Sequence, residues 1–260
     1  MKIVLIGSGN IATHLGKAIV ATGHHEIMQV YSRTLANAAA LANVLSAQAI
    51  SDFSEISKDA DLYLLAVSDS AIPEIVEQLS PAWSGVFVHC SGATDMQVLH
   101  TLKRYGVIYP VQSFSKEVDL DLSAVPFGIE GSTAEIQQQL MDFVTEISAE
   151  VFPCSSEQRL AIHVSAVFAN NFSNALFQVA YELLASHQLP FDLIRPIISE
   201  TATKIQNHLP EQVQTGPAIR NDKTTMQKHL QFISSNPDWQ LIYQKISDLI
   251  TKTRAKDGEN

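Results

Sequence analysis

Gly7-Ser8-Gly9-Asn10-Ile11-Ala12 is the segment of this chain whose residue types and spacing speak most directly of chemistry. Gly7 permits a tight turn, Gly9 keeps a Cβ out of the path of an approaching pyrophosphate, and Ala12 lets a helix pack closely on a strand. Ser8 lies in the turn, and Asn10 and Ile11 open a helix whose free N–H groups and partial positive charge face the phosphates. The run Tyr31-Ser32-Arg33-Thr34 bears on which dinucleotide is held. An acid there would bond a ribose 2′-hydroxyl, and none is present. Arg33 can neutralise a 2′-phosphate, and Ser32 and Thr34 can donate to its oxygens, so NADP is favoured over NAD. Val67-Ser68 and Ser91-Gly92 each follow an apolar run, at places where a ribose or nicotinamide lies against an open α/β sheet. Plainer readings stand beside these: Thr34, and Ser68 or Asp69, cap the helices that follow them, and Cys90 is a buried small hydrophobe rather than a nucleophile.

A second set of candidates lies further along. Residues 155–187 contain neither Pro nor Gly and predict one long helix. At about 100° per residue, His163, Asn170 and Asn174 fall on one stripe of it. Polar groups in line on a mostly apolar helix need partners. The stripe is expected to face the nicotinamide, with His163 exchanging a proton with a substrate carbonyl or imine and Asn170 or Asn174 orienting that atom. The alternative is hydrogen bonding to neighbouring helices or a dimer partner. Arg220, beyond Thr215-Gly216-Pro217, is a candidate clamp for a substrate carboxylate, with a plain surface or intramolecular Arg as the alternative; Asp222 reads as a helix N-cap. Lys204 and Glu200 read as an i,i+4 pair, and His14, His24 and His25 as structural or solvated. With neither an HExxH pattern nor a Cys/His cluster, no metal site is expected.

The elements that must position these groups follow from periodicity. Short apolar runs at 2–6, 26–31, 61–67, 86–89, 107–109, 127–130 and 151–153 predict strands covered on both faces. Helical patterns at 10–22, 35–45, 71–79, 95–105 and 134–147 alternate with them, as βαβ units require. Beyond residue 153 the texture is helical: 155–187, 190–208, 222–234 and 238–252, with a Pro/Gly loop between the second and third. The expected fold is α/β: a Rossmann-like, mainly parallel sheet with helices on both faces over residues 1–153, then an all-α domain over 154–260.

Composition bounds the rest. The chain has 260 residues, 46% of them apolar and 17% charged, which excludes intrinsic disorder as its main state. A net charge of −10 disfavours nucleic acid as a partner. No apolar run approaches ~18 residues, so no membrane span is expected. Two cysteines without metal-ligand spacing, and no signal-peptide pattern, suit a reduced cytoplasmic protein.

Five motifs carry a resemblance to a known family. They are Ile6-Gly7-Ser8-Gly9-Asn10-Ile11-Ala12, Tyr31-Ser32-Arg33-Thr34, His89-Cys90-Ser91-Gly92-Ala93, Tyr109-Pro110-Val111-Gln112-Ser113-Phe114 and Thr215-Gly216-Pro217-Ala218-Ile219-Arg220-Asn221-Asp222. Together they span nearly the whole chain. The chain resembles the NADP oxidoreductases with a Rossmann domain of the deazaflavin-dependent reductase type joined to a C-terminal helical domain of unknown function. Pyrroline-5-carboxylate reductase and the β-hydroxyacid dehydrogenases are relatives of that group. The resemblance implies NADP binding and names no substrate. The β-hydroxyacid dehydrogenases use a Lys and an Asn on the long helix of the second domain, and here that stretch has no Lys. Where relatives often carry Gly in the last motif, this chain has Asn221, which tolerates positive φ.

The sequence therefore reads as an oxidoreductase moving hydride between NADPH and a small carbonyl or imine in an interdomain cleft. A non-catalytic NADP-binding sensor or partner-binding protein is the alternative. An S-adenosylmethionine-binding fold also uses a glycine turn, but the missing ribose-binding acid opposes it. The long helix is apolar nearly all round, which predicts a homodimer through the helical domain.

Overall fold

The computed structural model describes residues 1–257 apart from 116, 117 and 119, and side chains as far as residue 252. Among the described residues eight strands form one sheet in the order β3-β2-β1-β4-β5-β6-β7-β8: β1 (Lys2–Ile6), β2 (Glu26–Tyr31), β3 (Gln48–Ile50), β4 (Leu62–Leu65), β5 (Val86–His89), β6 (Tyr105–Pro110), β7 (Phe127–Gly131) and β8 (Val151–Pro153). All neighbours run parallel except β6 and β7. The strands are apolar on both sides because both faces are covered. Ile3, Leu5, Leu62, Leu64, Val86 and Val88 pack into one core with Leu15, Leu41 and Phe143. Val4, Ile6, Tyr63, Leu65 and Phe87 point the other way into a second core with Ile72, Ile75 and Leu99. The helices behind these residues are α1 (Asn10–Ala21), α2 (Leu35–Leu45) and α4 (Ala134–Thr145) on the first face, and α3 (Ile72–Val76) on the second.

The expected α/β fold is present, with local corrections. The short strand β3 replaces part of a predicted loop; it ends in register with Tyr31 of β2. The helix predicted over 95–105 is only a 3₁₀ turn, Met96–Leu99, started by Asp95 accepting from the Gln97 amide at 2.7 Å. The remainder is drawn into the sheet, where the Phe87 amide donates to the Arg104 carbonyl at 2.9 Å. The pattern at 71–79 resolves into a 3₁₀ turn, Asp69–Ala71, and the short α3.

The long stretch predicted as one helix is helical but not uniform. It comprises α5 (Ser156–Ala166), a π-helical turn (Val167–Phe172) and α6 (Ser173–Ser186). A capping box starts α5, with Ser155 and Gln158 exchanging hydrogen bonds. The chain divides into two compact units, Met1–Phe172 and Ser173–Asn260. The change from strands to helices near residue 153 thus precedes the division of packing, because α5 is bonded to the sheet. The second unit continues with α7 (Arg195–Asn207), α8 (Pro210–Val213), α9 (Lys223–Phe232) and α10 (Pro237–Asp257). The short α8 stands where the sequence predicts loop. Among the described residues of that unit, Ala218 alone is buried.

Candidate functional site

The chain passes from β1 to β2 on one side and later to β4 on the other, so the carboxyl end of β1 is a topological switch point. Gly7 leaves β1 there with φ +123°, a conformation L side chains rarely adopt. A Cβ on Gly7 would lie 2.2 Å from the Ala66 carbonyl oxygen, just past β4. Gly9 caps α1 without a side chain, the first turn holds no acid, and nothing stands within 4 Å of where its Cβ would be. The helix amides therefore open onto free space, as an anion requires.

That space is a cleft of about 540 Å³ lined by Gly7, Ser8, Gly9, Asn10 and Ile11, by Ser32 and Arg33 from the end of β2, and by Val67 and Ser68 from the end of β4. The residues fit a dinucleotide: a cradle with no Cβ at the pyrophosphate position, and a cation at the ribose end. The Ser8 hydroxyl donates to Ser32 at 3.1 Å, tying the two loops together. Arg33 is exposed and pairs with no carboxylate among the described residues. Thr34 occupies the N-cap position of α2 without a side-chain cap bond and lies outside the cleft lining. Gln112 and Phe114 also line the cleft. Sequence reasoning placed them in a family motif and assigned them no role. The Asn10 amide donates to the Phe114 carbonyl at 2.7 Å, and His14 Nε2 lies 2.9 Å from the Ser115 carbonyl, so His14 ties this loop to α1 as a structural residue.

Ser91 and Gly92 stand outside that lining, at the end of β5, and organise a second cluster. The Ser91 hydroxyl accepts from the amides of Ala93 and Thr94 and donates to the Thr94 hydroxyl at 2.9 Å. The space before Gly92 is filled by His163: a Cβ there would lie 2.5 Å from its Nδ1 and 2.8 Å from Tyr109 Cε2. His163 Nδ1 is 3.2 Å from the Tyr109 hydroxyl, with the rings edge to face. Burial raises the Tyr109 hydroxyl above the ordinary tyrosine value, and the Arg159 charge partly offsets this.

Arg159 is the residue that sequence reasoning missed. Its side chain is 1% exposed. Nη1 donates to the carbonyls of Ser91 (3.2 Å) and Thr94 (2.9 Å), and Nη2 to Glu130 Oε2 (3.1 Å) and the Ser156 hydroxyl (2.9 Å). Glu130 in turn accepts from the Ser156 amide at the first turn of α5. This knot pins α5 to the turn after β5 and to β7, and seats His163, one turn beyond Arg159, against Gly92. The available signal was an Arg on an apolar helix four residues before a His. His89, wholly buried beside it, is held far below the usual histidine range, at about 3, first by burial and then by the Arg159 charge. Burial pushes the Cys90 thiol up to about 12, which suits its reading as an inert hydrophobe.

The predicted stripe of His163, Asn170 and Asn174 supposes an unbroken α-helix, and a π turn interrupts it. A wider π turn advances less than 100° per residue, so Asn170, inside it, departs from the regular spacing counted from His163. Asn170 is exposed. Asn174 belongs to the second unit, where with Phe177, Tyr181 and Arg195 it lines a separate hollow. Arg220 is exposed in the turn before α9, Asn221 adopts φ +54°, and Asp222 caps α9 by accepting from the Thr225 amide at 3.0 Å. Among the described residues no group of three or more His, Cys, Asp or Glu is arranged to hold a metal, and no helix is long and apolar enough to cross a membrane.

Two family models match separate stretches of the chain. The family described as "NADP oxidoreductase coenzyme F420-dependent" matches residues 2–88, and a domain of unknown function matches residues 125–250. A Bacteroides fragilis protein described as a "putative NADP oxidoreductase" is 39% identical over 96% of this chain and 98% of its own, with a TM-score of 0.88. The 1-pyrroline-5-carboxylate reductase of Streptococcus pyogenes shares the fold at 13% identity, covering 97% of this chain and 98% of its own, with a TM-score of 0.62. The Plasmodium falciparum pyrroline carboxylate reductase, solved with NADP bound, shares it at 9% identity, covering 96% and 98%, with a TM-score of 0.59. No curated protein matches this chain.

Proposed function

The chain belongs to the NADP oxidoreductase family of its Bacteroides fragilis relative, with NADP as cofactor, and from that premise we propose that it reduces a small carbonyl or imine, or oxidises the corresponding product. Bound NADPH supplies the hydride chemistry. The residues of this chain bind, orient and move a proton. The glycine turn and the first turn of α1, from Gly7 to Ile11, hold the pyrophosphate, and Ser32 and Arg33 hold the 2′-phosphate. Val67 and Ser68 flank the ribose. His163 exchanges the proton at the substrate oxygen or nitrogen. The observation that carries the reading is the conjunction of a glycine cradle, with no acid in the first turn of its helix, and an Arg33 in the same cleft that pairs with no carboxylate among the described residues.

Calorimetric titration tests it. NADPH is expected to bind far more tightly than NADH, and Arg33→Ala to weaken NADPH at least tenfold, about 1.4 kcal/mol, with NADH unaffected. Equal binding of the two cofactors would remove the 2′-phosphate from the reading. His163→Ala is expected to abolish turnover across a carbonyl and imine panel while NADPH still binds. Unchanged turnover would leave His163 without a catalytic part.

We also propose that the active form is a homodimer assembled through the second unit. Residues on four of its helices remain uncovered: Phe177 is 37% exposed, Ile197 65%, Phe232 63% and Leu249 64%. A unit with so little buried surface needs a partner to offset its chain entropy. Light scattering is expected to give twice the 28.5 kDa chain mass, and a monomer would refute this. Two free, buried cysteines suit a reducing cytoplasmic compartment.

A further inference from the structure

We infer that Tyr109 is a positioning residue that keeps a proton on His163 Nδ1, so that Nε2 is the atom that exchanges a proton with substrate. This rests on the reading of His163 as the proton carrier. The structure encloses one edge of the imidazole. Gly92 lies against Nδ1 and Cγ so closely that a Cβ would sit 2.5 and 2.6 Å from them. The Tyr109 hydroxyl, from the end of β6, stands 3.2 Å from the same nitrogen. Nε2 has no hydrogen-bond partner among the described residues, and so it is the nitrogen left to meet a ligand. Arg159, four residues earlier on α5, holds the helix in this register through its bonds to Ser91, Thr94 and Glu130.

Proton bookkeeping then decides the direction of the Tyr109 bond. When hydride adds to the substrate carbon, the C=O or C=N π pair moves onto the heteroatom, which takes a proton. A neutral ring protonated only at Nε2 would be left as an imidazolate by giving that proton up. The donor is therefore the imidazolium, which carries protons on both nitrogens. After transfer from Nε2 the ring is neutral and Nδ1 keeps its proton. In both states Nδ1–H is a donor, and the Tyr109 oxygen is the acceptor within reach. Burial keeps that hydroxyl protonated, so it serves as a neutral acceptor rather than as a competing phenolate. In the oxidative direction the same neutral tautomer presents a bare Nε2 lone pair to take the proton back. A second-residue acceptor that sets an imidazole tautomer is a known device for directing proton transfer.

The test is nitrogen NMR of the full-length protein with labelled histidine, the His163 signals being assigned by their loss in His163→Gln. At a pH where the ring is neutral, the wild type is expected to show the Nδ1–H tautomer. Tyr109→Phe is expected to return the ring toward the Nε2–H form preferred by free imidazole. It should also lower kcat about tenfold while NADPH affinity, which monitors folding, holds within twofold. A wild-type ring protonated at Nε2, or a Tyr109→Phe ring with unchanged tautomer, would overturn the inference. Failure of the underlying reading shows separately, as full turnover in His163→Ala. That result leaves no proton transfer for Tyr109 to direct, whatever the tautomer.

Discussion

Arg159→Met is the substitution from which most follows. The guanidinium satisfies four acceptors at once: Glu130, Ser156 and the carbonyls of Ser91 and Thr94. The two ion-pair partners are 1% and 13% exposed, so water cannot take over the role. Methionine fills much of the volume and replaces none of the donors. Removing one member of a buried pair costs about 3–5 kcal/mol, because the other charge is left without a counterion. With the two orphaned carbonyls added, the expected loss is about 4 kcal/mol, the middle of that range. For a chain of this length each kcal/mol lowers Tm by about 2–4 °C, giving a fall of about 8–16 °C. Thermal and urea unfolding followed by far-UV circular dichroism measure it. The double variant Glu130→Gln/Arg159→Met removes the uncompensated charge as well and is expected to recover at least half of the loss. A single variant within about 1 kcal/mol of wild type would refute the account of Arg159 as the knot that pins α5.

The other predictions concern the same region. In Gly92→Ala the new methyl must displace His163 and Tyr109, at a cost of about 1–3 kcal/mol. Turnover should fall at least tenfold while calorimetry shows NADPH affinity within twofold, and unchanged turnover would mean that the seating of His163 is irrelevant. His89 gives the fold an acid sensitivity. Its folded pKa, about 3, lies below the unfolded value near 6.5, so below pH 6.5 the unfolded chain binds the extra proton. The stability this represents is present above pH 6.5 and drains away as pH falls toward 3. By pH 5 the loss is about 2 kcal/mol. His89→Asn, whose side-chain oxygen can still accept from the Ser91 amide, should flatten the dependence of the urea midpoint between pH 7 and 5. An equal slope in the variant would assign the effect elsewhere.

Much of the cofactor end was legible in the sequence because its causes are local. A strand, a glycine turn and a helix start lie within a dozen residues, and the requirement for Gly7 is a property of its own φ. The two-faced burial of the sheet showed as unbroken apolar runs, and the cap role of Asp222 depends on a neighbour three residues away. What tertiary structure decided lies at longer range. Arg159 gathers groups from the turn after β5 and from β7, up to 68 residues distant in the chain, and no local pattern marks such a junction. Tyr109 meets His163 across 54 residues. The line of His163, Asn170 and Asn174 assumed a regular 100° step through a segment that forms a π turn. Local propensity chooses helix over strand there. How tightly the helix winds, and so which side chains share a face, depends on what each turn must pack against.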